Sequence, residues 1–131
     1  MDYRFEKHYT LDEARALLPQ VRIWLKRLLQ LRGELMKHDE RQNELMKGGK
    51  DLGGAEVNVW VRALADVKET LLEFYRREIQ VKDLERGLID FPAVIDGKEV
   101  FLCWEQKEPD IEFWHDLDAG YAGREPLTGL E

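Results

Sequence analysis

The sequence predicts an α+β fold: a long antiparallel helical hairpin, preceded by a short capped helix, packed with a C-terminal three-stranded antiparallel β-meander. Three observations carry that expectation. Apolar residues recur at alternating spacings of three and four from Val21 to Leu35, in a register that continues to Leu45, and again from Val57 to Val81 with an interruption at Glu78, the period of one helical face. A glycine-rich run, Gly48-Gly49-Lys50-Asp51-Leu52-Gly53-Gly54, separates these stretches and reads as the loop of a hairpin. Beyond Gly87 the spacing changes to two, around an Asp96-Gly97 pair suited to a type I′ turn.

Taken in order, Thr10-Leu11-Asp12-Glu13 is a capping box, in which the hydroxyl and the carboxylate each accept from the other residue's amide. A short helix is expected through Leu18, with a break at Pro19, which disfavours helical geometry in the residue before it. The next stripe is Val21, Trp24, Leu28, Leu31 and Leu35, continuing through His38 and Gln42. The second helix is expected from Glu56 to Arg86, along Val57, Trp60, Leu64, Val67, Leu71, Phe74 and Val81, interrupted by Glu78. Pairing the stripes about the loop sets His38 near Leu64, Gln42 near Trp60 and Trp24 near Glu78. Gly87 is expected to close this helix in the left-handed conformation. Strands are expected at residues 91–95, 98–105 and 111–115, with a turn at 106–110. The whole forms one domain over residues 1–131, helical over 10–86 and β over 87–127.

The middle strand carries apolar residues on both faces: Val100, Leu102 and Trp104 on one, Phe101 and Cys103 on the other. Such a strand is covered twice. The hairpin covers one face, which leaves the other to Tyr3 and Phe5, to Tyr121 and Leu127, or to a second copy of the chain. Four tryptophans and wide apolar stripes favour the second copy, a homodimer.

Composition excludes several function classes. A net charge of −7 and a pI near 5.1 argue against general nucleic-acid binding, although Arg22, Lys26 and Arg27 can form a local basic patch. No apolar run approaches the length of a membrane span. A single cysteine forms no intrachain disulfide, and residues 1–8 have no leader pattern, so a soluble cytoplasmic protein is expected.

Candidate chemistry concentrates between Gly87 and Leu127. Cys103 and His115 fall on neighbouring strands, and Glu105 joins them if the alternation holds, so His115, Cys103 and Glu105 are the candidate metal ligands. The set matches no closed metal motif, and the alternative is a buried thiol beside a histidine bonded to a backbone carbonyl. A Cys103 nucleophile with His115 as base needs an exposed, acidified sulfur. Gly120-Tyr121-Ala122-Gly123-Arg124 can present amides and a guanidinium to an anion; alternatively Arg124 pairs with an internal acid such as Asp118 or Asp90. Glu108, His115, Asp118 and Arg124 are thus the candidate ligand-binding residues. His8, His38 and Glu78 read as structural.

Those residues also carry a family resemblance. Tyr9-Thr10-Leu11-Asp12-Glu13-Ala14, Leu17-Leu18-Pro19, Gly87-Leu88-Ile89-Asp90-Phe91-Pro92, Val100-Phe101-Leu102-Cys103-Trp104, Glu108 and Ile111 through Leu127 resemble the bacterial and archaeal family called domain of unknown function 2203. The chain departs at Arg15, where the family usually has Asn, and at Lys107, where it usually has Gly. The resemblance implies the fold and a bacterial or archaeal cytoplasmic origin, and implies no reaction and no cofactor. Two functions are expected to compete: a non-enzymatic interaction module acting as a homodimer, with an unknown protein or small-molecule partner, and a small-molecule, anion or metal site, with hydrolysis as one chemistry open to it.

Overall fold

The computed structural model describes residues 2–49 and 54–128. The chain is α+β: helices α1 (Leu11–Lys47) and α2 (Gly54–Arg76) precede strands β1 (Gln80–Asp83), β2 (Leu88–Ile95), β3 (Lys98–Glu105), β4 (Phe113–Asp116) and β5 (Glu125–Pro126). It divides into two compact units, one of residues 1–25 with 74–131, the other of residues 26–73. No helix among the described residues is long and apolar enough to cross a membrane.

In the first unit, the Thr10–Glu13 capping box opens α1 as expected: the Glu13 amide donates to Thr10 Oγ1 at 3.1 Å, and the Thr10 amide to Glu13 Oε1 at 2.9 Å. The break expected at Pro19 does not occur, because α1 runs through it. Proline there removes one hydrogen bond and crowds the preceding turn, at a cost of about 3 kcal/mol. Pro19 lies on the exposed side, where water can reach the freed carbonyl. Ala14, Leu18, Val21 and Leu25 on the other side are all buried, and that burial outweighs the cost.

The second expected helix ends ten residues too late. α2 ends at Arg76, where the Ile79 amide donates to Phe74 O and the Glu78 amide to Tyr75 O, the two bonds of a Schellman cap. Glu78 takes the left-handed position at φ 57° without being glycine. Val81, which continued the helical stripe on paper, lies instead in an edge strand paired with Ile89. Trp24 meets the Phe74 ring at 5.2 Å and the Arg77 guanidinium at 4.9 Å, close to the expected neighbourhood of Glu78.

The sheet has five strands rather than three, antiparallel in the order β1-β2-β3-β4-β5. Asp96 and Gly97 both have positive φ (51° and 79°), as a type I′ turn requires, and β2 pairs with β3 from Ile95↔Lys98 to Leu88↔Glu105. The third expected strand is shifted to Phe113–Asp116. β3 is buried on both faces from Val100 onwards. On one face Arg22 of α1 lies over the Trp104 ring at 4.8 Å. On the other, Phe5 packs on Phe101 at 5.4 Å. The segment carrying Phe5 is fastened by Glu99, whose carboxylate accepts from the Arg4 and Phe5 amides at 2.7 and 2.9 Å and meets His8 at 2.7 Å. The chain therefore supplies both covers of β3 itself.

In the second unit, Leu28, Leu31, Ala63 and Thr70 are buried, and Arg27 pairs with Asp66 at 3.0 Å. Most of the glycine-rich loop expected over 48–54 lies outside the described residues.

Gly87 closes the turn between β1 and β2 rather than a helix. Its φ is +64°, and a Cβ built there would stand 2.5 Å from Gln106 Cβ. Gly97 has φ +79° in open space. The Gly97→Ala substitution should cost only the left-handed strain of about 1–2 kcal/mol. Gly87→Ala adds a clash worth a further ~1–3 kcal/mol. Urea denaturation should rank the two in that order, and equal losses would mean that the approach of Gln106 constrains nothing.

Candidate functional site

Three polar side chains share the sheet face opposite α1. Asp90 pairs directly with Cys103 across β2 and β3, and His115 on β4 pairs with Phe101, two residues from Cys103 on the same face. One donor atom from each of Asp90, Cys103 and His115 lies within 4.8 Å of the other two, and all three residues are buried.

The hydrogen bonds define where protons sit. His115 Nδ1 lies 2.7 Å from Asp116 O, an acceptor only, so Nδ1 carries a hydrogen. Nε2 lies 3.0 Å from Asp90 Oδ2, so a second proton is shared between ring and carboxyl. Burial pushes the Asp90 carboxyl above its ordinary value, and the charge of His115 partly offsets this. Burial, reinforced by the Asp90 charge, pushes the Cys103 thiol up to about 12. Asp90 Oδ1 is closed to solvent and has no hydrogen-bond partner among the described residues. The thiol stands near that carboxylate, but without the geometry of a hydrogen bond to this oxygen.

The cluster floors a cavity of about 240 Å³, walled by Lys82, Leu88, Leu117, Asp118, Gly120 and Tyr121. The last of these opens a 3₁₀ turn at Tyr121–Gly123, entered through Gly120 at φ 69°. The Tyr121 hydroxyl donates to Glu105 Oε2 at 3.1 Å, and Arg86 donates to Glu105 Oε1 at 3.0 Å. Together these bonds, Arg86 foremost, hold the Glu105 carboxyl below the usual range despite its burial. Its carboxylate is thereby drawn to Arg86 and Tyr121, and Asp90 completes the group of donor atoms around Cys103 and His115.

The expected ligand-binding residues separate into two places. His115 and Asp118 both border the cavity, Asp118 at its exposed rim, where Arg4 meets it at 3.2 Å. Glu108 and Arg124 are spent on each other in a bidentate pair of 3.0 and 2.7 Å. The Arg124 guanidinium also stacks over Phe113 and Tyr121 at 3.9 and 4.2 Å. Burial would lower its pKa, but hydrogen bonds to Glu108 and Cys103 outweigh that and raise it. Arg124 thus pairs with an internal acid, and that acid is Glu108 rather than Asp118 or Asp90. Of the possible basic patch, Arg22 donates to Gln106 O and Glu108 O, and Arg27 faces Asp66.

The arrangement opposes nucleophilic chemistry. Both His115 nitrogens are engaged, leaving none to take the thiol proton, and the sulfur is buried with a raised pKa. Lys82 was not singled out from the sequence, and Asp90 was named only as a possible partner of Arg124. An acid inside the apolar run Leu88-Ile89-Asp90-Phe91 was the available signal. Lys82 gave none, since its strand was read as helix.

A family model described as "Uncharacterized conserved protein (DUF2203)" matches residues 7–127, and the chain belongs to that family. No curated protein and no solved structure matches the chain.

The Glu108–Arg124 pair is nearly buried, with side chains 11% and 14% exposed. Removing one partner strands the other charge, which typically costs about 3–5 kcal/mol. Chemical denaturation of Arg124→Ala should show a loss of that order, and Arg124→Met with Glu108→Gln, which keeps an acceptor for the Glu105 amide, should recover most of it. A loss within ~0.5 kcal/mol, usual for a surface change, would mean that the pair is not structural.

Proposed function

We propose that this family member is a non-enzymatic binding module, whose small ligand enters the cavity opposite α1 and is held over Asp90, Cys103 and His115. The observation that carries this reading is Asp90 Oδ1, a solvent-closed acceptor with no hydrogen-bond partner among the described residues. Such an atom costs about 1–3 kcal/mol. A ligand that donates to it, or coordinates it, returns that energy on binding. The cavity, about 240 Å³, is smaller than the ~300–1,000 Å³ of drug-sized sites, which suits an ion or a small metabolite. Asp118 at the rim belongs to the site, whereas Glu108 and Arg124 support the wall. Binding is favoured over hydrolysis because His115 has no free nitrogen to serve as base. A bacterial or archaeal cytoplasmic setting is part of the reading, supported by the lone buried thiol.

Amide NMR of the chelator-treated protein against small amines and small anions tests it. Shifts should cluster at Cys103, His115 and residues 117–121, and Leu117→Trp, which fills the cavity, should abolish them. A protein that leaves those amides unmoved by every compound is not a small-ligand module of this kind.

Homodimerisation is a second reading, with one observation in its favour. Along α2, Val57, Trp60, Leu64 and Leu71 remain 41%, 38%, 39% and 44% exposed, although they form the stripe expected to be buried. An antiparallel pairing of the two helices within the second unit belongs to this reading, supported by the Arg27–Asp66 contact. A second copy laid on the exposed stripe would remove it from water. Light scattering at micromolar concentration should give twice the 15.5 kDa of one chain, and Leu64→Glu should halve it. A wild-type mass of one chain ends this reading and leaves the cavity untouched.

A further inference from the structure

The floor of the cavity brings together three kinds of donor, each from a different strand: the Asp90 carboxylate on β2, the Cys103 thiol on β3 and the His115 imidazole on β4. Hard cations such as Ca²⁺ and Mg²⁺ take oxygen ligands, whereas a mixed O, S and N set suits a borderline-soft ion. We propose that Asp90, Cys103 and His115 are the protein ligands of a zinc-class divalent metal ion, with its fourth position open to the cavity. The inference rests on the reading of the cavity as a binding site and names the ion that it holds.

The geometry supports it at several points. Adjacent strands fix the three Cβ positions, so little has to be organised on binding. His115 donates Nδ1–H to Asp116 O at 2.7 Å, the outer hydrogen bond that characteristically orients a metal-binding histidine and turns Nε2 inward. Around a tetrahedral zinc ion, nitrogen and oxygen donors at about 2.0–2.2 Å stand roughly 3.3 Å apart, and sulfur about 3.6 Å from either. His115 Nε2 and Asp90 Oδ2 are 3.0 Å apart, so that edge needs to open by only a few tenths of an ångström. The widest edge of the cluster is at most 4.8 Å and must contract by about 1 Å, within reach of side-chain rotation.

The unpartnered Asp90 Oδ1 is the independent sign that something is to be met here. Among the described residues no group donates a hydrogen bond to it, although the side chain is only 3% exposed. Charge balances as well. Metal entry breaks the S–H bond and displaces the proton shared by Asp90 and His115. Both protons leave to solvent, and one thiolate and one carboxylate then neutralise the dication. Of the cations nearby, Arg124 is paired with Glu108, while Lys82 lines the cavity. An anionic small molecule or hydroxide therefore suits the open position.

The test uses the full chain freed of metal by a chelator. Titration with Co²⁺ should saturate at one equivalent and give a thiolate-to-cobalt charge-transfer band with intense tetrahedral d–d bands. Competition with a chromophoric chelator should show Zn²⁺ bound with the same stoichiometry. Cys103→Ser, similar in size, should lose the charge-transfer band and weaken zinc binding by more than the ~10–100-fold that loss of an outer-shell partner costs. Glu105→Gln should leave the band in place. Absence of the band in the wild type, or zinc affinity unchanged in Cys103→Ser, overturns the proposal. If Cys103→Ser does not fold, X-ray absorption of the wild-type zinc complex counts the sulfur ligands directly: one supports the site and none removes it. Ligand-induced amide shifts in chelator without metal binding would leave the cavity reading standing alone, whereas loss of both would remove both.

Discussion

β3 has no solvent on either side of it from Val100 to Glu105, and the surrounding structure answers the demands this creates. Its backbone is satisfied by β2 and β4, but the polar groups where it ends have to be paired inside the protein. Glu108 does most of this. Its carboxylate accepts from the Glu105 amide at 2.8 Å and from Arg124, while its main-chain oxygen accepts from Trp104 Nε1 at 3.0 Å and Arg22 at 3.1 Å. Arg22 belongs to α1, on one side of the sheet, and Arg124 to the loop that covers the other. A single residue after the strand thus joins both covers, through hydrogen bonds to charged groups worth about 1.5–3 kcal/mol each.

The two faces are covered by different means, with chemical consequences. A helix packs densely and leaves its side of the sheet apolar, with Ile89, Phe91 and Leu102 fully buried. The N-terminal segment and the 117–124 loop cover the other side, and the cavity lies against that loop, at Leu117, Asp118, Gly120 and Tyr121. Polar residues occur on that face alone in the buried middle of β2 and β3, and one oxygen there has no hydrogen-bond partner among the described residues. An uncompensated cost of this kind, inside a fold otherwise consistent with its sequence, is the local violation expected where a protein binds something.

Much of this was legible in advance. The Thr10–Glu13 cap, the period of α1, the Asp96-Gly97 turn and the doubly apolar β3 are local patterns and appear as read. The turn fixes the pairing of 91–95 with the next strand, but β2 begins at Leu88 rather than at 91, and only that extension brings Asp90 opposite Cys103. Other features were not legible. Val81 continues a helical stripe by coincidence of spacing, and a glutamate at position 78 gives no hint that it will adopt the conformation usually reserved for glycine. Pro19 signals a break that buried neighbours overrule. Glu108 as the partner of Arg124 was one choice among several acids, since nothing local ranks them.

By itself, then, the sequence determined the helical and β halves, the turn that sets the β2–β3 register, and the double burial of the central strand. These depend on periodicity and on backbone preferences that act within a few residues. The tertiary structure decided where α2 stops, that the sheet has five strands, which acid holds Arg124, and that Asp90 rather than Glu105 joins Cys103 and His115. Those outcomes depend on the pairing of residues distant in the chain, where a slip of one position exchanges the two faces of a strand. Of the polar residues singled out between Gly87 and Leu127, Cys103 and His115 meet at Asp90, a convergence that only the packed sheet shows.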